Sequence, residues 1–273
     1  MSKKTFYLLI VILLVIIVLV LLINLKKDQK ETLPVDFDKT AFNYLPTSTT
    51  HQIVQHTHFT LSYSEADEQA EWVAYRLTRD ELRNVAERED NFREDPKVLS
   101  GSASPDDYRR SGYDRGHLAP AGDMGFSEEA MSESFYMSNI SPQDRAFNRG
   151  IWRTLEGQTR DWAAENGSLY VVTGGVLAEK IEVIGRKNKV TVPKYFYKIL
   201  LDLGEPGLDG SDIKAMAFLL PNEGSDASLS EFVISIDSLE SRTGIDFFPA
   251  LPDDLEAKLE SSVSLNGWRF NEN

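Results

Sequence analysis

Residues 6–23 form an unbroken run of eighteen apolar side chains, bracketed by Lys3 and Lys4 before it and by Lys26, Lys27 and Lys30 after it. At about 1.5 Å of rise per residue such a helix approaches the ~30 Å hydrocarbon core of a bilayer. Residues 1–27 therefore read as a transmembrane anchor with flanking lysines, in contact with lipid through residues 6–25. A cleaved signal peptide is the competing reading. Against it, the run exceeds the ~7–15 residues of a signal h-region and no small-residue cleavage site follows. Flanking charge does not decide the orientation. Residues 28–43 are polar, contain Pro34 and lack a helical period, which predicts a tether to a domain over 44–273.

Within that domain the apolar positions come in short runs. Residues 53–63 and 71–78 are rich in β-branched and aromatic side chains, are separated by a polar stretch, and predict a hairpin. Residues 169–173, closed by Gly174 and Gly175, predict a buried strand. Residues 190–203 and 213–220 predict two more strands across a turn rich in Gly, Pro and Asp, and 236–242 and 252–259 predict late helices. The longest helix is predicted from Pro142 to about Asn166, with Ser141 as N-cap, Asp144 as capping acid and Gly167 as the stop. At about 100° per residue, Phe147, Ile151, Leu155 and Trp162 form its buried stripe, and Asn148, Trp152, Glu156 and Arg160 an adjoining polar face. Strands and helices without βαβ alternation imply an α+β fold: a mixed, mainly antiparallel central sheet flanked by helices.

Charge complicates any nucleic-acid role. The 273 residues carry 43 acidic against 29 basic side chains, and beyond residue 30 the balance is 42 against 24, a net charge of −18. Such a domain does not hold polyanions by bulk attraction, so nucleic-acid binding needs a local site. With 41% hydrophobic residues the composition is globular rather than disordered. The absence of cysteine excludes disulfides, thiolate metal sites and cysteine nucleophiles.

Of four histidines, His51, His56 and His58 cluster near the first strand. The last two are spaced to share a strand face and to hold a metal, but no third ligand stands near them, which favours plain surface histidines. The fourth, His117, lies in Asp114-Arg115-Gly116-His117-Leu118-Ala119-Pro120, followed by Asp123. An Arg beside it and a Gly that permits close backbone approach make this the richer environment.

That segment resembles the signature of the DNA/RNA non-specific endonuclease family of the ββα-metal class. The likeness continues through Ser138-Asn139-Ile140-Ser141-Pro142-Gln143, Phe147-Asn148-Arg149-Gly150-Ile151-Trp152 and Leu155-Glu156, and upstream through residues 72–78 and 92–96. It implies a ββα-metal finger as active site, with His117 as general base and Asn148 as the single protein ligand to Mg²⁺, or to Mn²⁺ or another divalent cation. It further implies that Glu156 holds that ion's waters, that Arg76, Arg115 and Arg160 clamp phosphate, and that Asn139 adds a polar group to the site. Asp114 would orient rather than ligate.

Physical need agrees with these assignments. Phosphodiester hydrolysis requires a base, a cation and phosphate donors, and a neutral amide oxygen suits a hard cation that keeps its waters. All seven basic residues between Val98 and Glu179 are Arg, whose planar forks bind phosphate bidentately; Arg145, Arg149 and Arg153 among them read as pairing with acids along a solvated helix.

The expected substrates are DNA and RNA backbones, cut to 5′-phosphate and 3′-hydroxyl ends, since no motif reads base identity. The resemblance also suggests a homodimer, and a protein inhibitor of unknown identity is a further possible partner. Danger to the host genome argues for an extracytoplasmic location, periplasmic or at the cell surface. Two alternatives stand beside this reading: a binding domain that has lost catalysis, and a phosphodiesterase acting on a substrate other than nucleic acid.

Overall fold

The stretch 53–63 reads as one strand but folds as two, β1 (Ile53–Gln55) and β2 (Thr60–Ser64), paired antiparallel across the turn that holds His56 and His58. A computed structural model describes residues 42–204 and 213–271 of the chain. The apolar run 6–23 and nearly all of the tether lie outside the described residues. Among the described residues no helix is long and apolar enough to cross a membrane.

The remaining strands are β3 (Gln69–Thr78), β4 (Asp114–His117), β5 (Ile140–Gln143), β6 (Ser168–Gly175), β7 (Lys180–Ile184), β8 (Val190–Pro193), β9 (Tyr195–Asp202), β10 (Lys214–Pro221) and β11 (Val233–Ile234). The helices are α1 (Pro105–Tyr108), α2 (Glu128–Ser134), α3 (Arg145–Arg149), α4 (Ile151–Asn166), α5 (Ile236–Thr243) and α6 (Asp253–Glu260). Seven strands form one sheet in the order β1-β2-β3-β6-β9-β10-β11, every neighbour antiparallel. Two hairpins, β4/β5 and β7/β8, stand apart from it. The class is α+β, and the central sheet is antiparallel throughout rather than mixed.

Both faces of the sheet are covered, which is why its central strands read as continuous apolar runs instead of alternating ones. One face packs Val73, Tyr75, Val171 and Leu200 under Phe147, Trp152, Leu155 and Trp162 of α3 and α4. The other packs Ala74, Val172, Ile199 and Ala217 under α5 and α6 through Leu239 and Leu255. Residues 190–203 are broken at Lys194, so β8 joins a hairpin while β9 joins the main sheet. Pro193 lacks the N–H that would continue the ladder.

The helix expected from Pro142 to Asn166 is also divided. Residues 140–143 are strand β5, and Asp144, not Ser141, is the N-cap, accepting from Ala146 N (2.8 Å) and Phe147 N (3.1 Å). Ser141 instead donates to Gln69 Oε1 (2.5 Å) inside the core. The helix breaks at Gly150, where a Cβ would lie 2.4 Å from the Ala146 carbonyl oxygen. Trp152, expected on the polar face, is fully buried against Phe147 and Phe196. A single buried Phe contributes about 1.5–3 kcal/mol. This aromatic cluster therefore seats α3 and α4 firmly on β9 and fixes where Asn148 and Glu156 emerge.

Candidate active site

Strand β4 pairs with β5 in the register Asp114↔Gln143, Gly116↔Ser141 and His117↔Ile140, and α3 follows directly. Two strands and a helix thus bring His117 and Asn148, distant in sequence, to one place. Arg88, Arg115, His117, Asn148, Glu156 and Arg160 line one cavity of about 430 Å³. It continues past Arg115 into a hollow of about 740 Å³ that reaches Tyr113 and Arg109.

His117 is 8% exposed, and its Nε2 is buried with no hydrogen-bond partner among the described residues. Its ring sits between Phe135 (centroids 5.1 Å) and Phe92 (5.5 Å). Burial, then the Arg88 and Arg115 guanidiniums, push its pKa down to about 3, so the imidazole is neutral at any physiological pH. The glycine before it has a packing reason. A Cβ at Gly116 would lie 2.1 Å from Cδ of Gln143, so the close approach it allows is that of a side chain across the hairpin.

Asp114 takes the orienting position. It accepts from Asn148 Nδ2 (3.2 Å) and from Arg149 Nε (2.7 Å). Partial burial alone would raise its carboxyl, but these bonds and nearby Arg145 outweigh that and hold it below the ordinary carboxylate range. Arg145 and Arg149 therefore pair with a strand of the hairpin, not with acids along their own helix. With its amide nitrogen engaged, Asn148 is left with its carbonyl oxygen as the free end. One hard oxygen on the rim of a cavity that also holds the Glu156 carboxylate suits a cation that keeps most of its waters.

Beneath the cavity lies a buried set of charges. Tyr75 Oη (2.7 Å) and Arg160 Nη1 (2.8 Å) both donate to Asp123, which fixes the Arg160 fork. Burial raises the Glu156 carboxyl above its ordinary range, opposed by the ammonium of Lys198 and reinforced by Asp123. Lys198 is itself fully buried, donates to Thr173 Oγ1 (2.7 Å) and is lowered by that burial. Arg115 lies flat on Phe92, its guanidinium carbon 4.1 Å from the ring centroid.

Two expected site residues stand elsewhere. Arg76 follows Tyr75 on β3, so the pleat sends it to the opposite face, where it lies over Tyr170 (5.7 Å) and donates to Ser168 Oγ (3.3 Å). It does not converge with His117. Asn139 is buried and spends both amide hydrogens on the Ala119 and Ser134 carbonyls (2.9 Å each), while its oxygen accepts from Ala119 N (2.8 Å). It braces the chain just after His117 and has no donor left for phosphate.

His56 and His58 do not share a strand face as surface residues. His56 is buried with Nε2 2.8 Å from Asp95 Oδ2, whereas His58 faces Glu129. Besides Arg153, which lines the cavity and joins no ion pair among the described residues although it read as pairing with acids along its helix, Arg88 is the site residue that sequence reasoning missed. It enters from an aperiodic loop among Glu87, Glu89 and Asp90, where nothing local separates a site arginine from a solvated one.

A hairpin bearing a neutral imidazole, packed on a helix bearing an amide and a carboxylate and ringed by arginines, is an architecture for phosphodiester cleavage. The chain belongs to the DNA/RNA non-specific endonuclease family, whose model matches residues 39–254. It is 37% identical over 209 residues to the mitochondrial nuclease EXOG of Danio rerio, covering 72% of this chain and 60% of that protein's length. A nuclease of Nostoc sp. is 36% identical over 214 residues, with 75% and 76% covered. Among solved structures, a complex of EndoG with EndoGI, described as showing the mechanism of EndoG inhibition, matches at a TM-score of 0.67 with 30% identity. That match covers 74% of this chain and 87% of the other.

Proposed function

We propose that the chain is a metal-dependent endonuclease that hydrolyses DNA and RNA without base specificity, leaving 5′-phosphate and 3′-hydroxyl ends. The observation that carries this reading is the convergence of His117, Asn148, Glu156 and five arginines, Arg88, Arg115 and Arg160 among them, on one cavity. His117, neutral because it is buried beside two guanidiniums, takes the proton of the attacking water. Arg88, Arg115 and Arg160 hold the phosphate oxygens, which answers the −18 net charge locally. Asn148 would hold a divalent cation through its oxygen, and Glu156 would accept hydrogen bonds from water beside it. Bound there, Mg²⁺ or Mn²⁺ supplies charge neutralisation at the phosphate.

The full chain incubated with supercoiled plasmid and with RNA should cleave both, and EDTA should stop it. Cleavage of bis(4-nitrophenyl) phosphate with neither polymer cut would favour the small-phosphodiester alternative. With three guanidiniums each neutralising one phosphate, a fourfold rise in salt should weaken duplex binding about 40-fold. Salt-insensitive affinity, read by fluorescence anisotropy, would contradict a backbone-dominated site.

The pH profile should separate the two titrating groups. His117 is available as a base at all pH values above about 3, so it puts no acid limb near 6.5. Glu156 works as an anion, and its raised pKa means that it is protonated as pH falls while still above the ordinary carboxylate value of about 4.3. Activity should therefore fall on acidification through the Glu156 transition. In Glu156→Gln that limb should vanish along with most of the rate. A limb retained unchanged in the variant would assign it elsewhere.

A further inference from the structure

On the sheet face opposite the His117 cavity, α5 and α6 bring together five carboxylates: Asp237 and Glu240 from α5, Asp246 from the loop between the helices, and Glu256 and Glu260 from α6. Glu256 and Glu260 are four residues apart and Asp237 and Glu240 three, so each helix presents a like-charged pair on one face, an unfavourable arrangement by itself. None of the ion pairs among the described residues involves any of the five. Arg242, the basic residue of α5, is instead directed to Glu179 at 3.1 Å.

A second observation points to a ligand. Glu260 is 8% exposed, and its Oε1 is buried without a hydrogen-bond partner, as is Oε1 of Glu256. Glu260 belongs to both groups of three that the carboxylates form, with Asp237 and Glu240 and with Asp246 and Glu256. In each group the oxygens lie within 4.8 Å of one another. Oxygens that close can share one hard cation, and an irregular set made wholly of carboxylates suits calcium, which takes about six to eight oxygens in flexible geometry, better than magnesium, which demands a near-ideal octahedron and keeps several waters. The donors are all oxygen, which excludes ions that demand nitrogen or sulfur.

We propose that these carboxylates form a calcium site that clips α5 to α6 and stabilises the fold without entering the cleavage chemistry. Stripped of metal and returned to calcium at about a hundredfold excess over Kd, the full chain should melt about 5–10 °C higher than in chelator. Glu260→Gln should abolish that rise while its plasmid cleavage rate in magnesium stays at the wild-type value. Glu240→Gln gives the same reading should Glu260→Gln fold poorly. Asn148→Ala should keep the calcium-dependent rise, which separates this site from the one at the cavity and makes the test independent of the nuclease reading. A melting temperature insensitive to calcium, a rise that survives both glutamate variants, or a rise lost in Asn148→Ala would each overturn the proposal.

Discussion

His117→Ala is expected to lower the hydrolysis rate by at least the ~10²–10⁴-fold that a positioned general base contributes, with nucleic-acid affinity in the presence of metal close to that of the parent. The separation follows from the geometry. In the proposed mechanism phosphate is met by Arg88, Arg115 and Arg160, of which Arg160 is held by Asp123 and Arg115 rests on Phe92, so the clamp would not depend on the imidazole. Removing the ring leaves a gap between Phe92 and Phe135, so the melting temperature should be recorded alongside the rate. Single-turnover cleavage of a labelled oligonucleotide, with binding followed by anisotropy, checks both halves. Cleavage that persists within tenfold of the parent would remove His117 as the base.

Asn148→Ala is the second large effect. Loss of an outer-sphere partner typically costs ~10–100-fold in metal affinity or activity, so loss of the proposed sole protein ligand should exceed that range. The metal titration midpoint should move to higher concentration together with the fall in rate. Asp114 sharpens the expectation, because its bond to the Asn148 amide nitrogen is what commits the oxygen to the cavity. An unchanged titration midpoint would exclude Asn148 as ligand.

Much of this site was legible before folding was considered. Arg115 and His117 are two residues apart and so lie on one face of a short strand, and Asn148 and Glu156 are eight apart, about two helical turns. Those relations are local, and the structure keeps them despite the break at Gly150. Errors arose where local pattern and packing disagree. Trp152 stands among polar neighbours yet is drawn into the aromatic cluster with Phe147 and Phe196. Arg76 was assigned to the phosphate clamp by family resemblance, but a pleat reverses direction at every residue and sends it away from Tyr75 and the cavity. Ser141 has the chemistry of an N-cap, but its hydroxyl is taken by Gln69 from another strand.

By itself, then, the sequence determined the chemical inventory: one histidine in a favourable setting, an amide and a carboxylate at helical spacing, arginines in place of lysines, and the local strand and helix propensities. Tertiary structure decided which of these meet. The pairing of β4 with β5 and the seating of α3 and α4 on β9 set His117 against Asn148, recruited Arg88 from a featureless loop, and turned Asn139 from a site residue into a brace. Side-chain direction along one element follows from its own period. The meeting of segments remote in the chain follows from the burial of apolar surface between them, which is a property of the whole packed core.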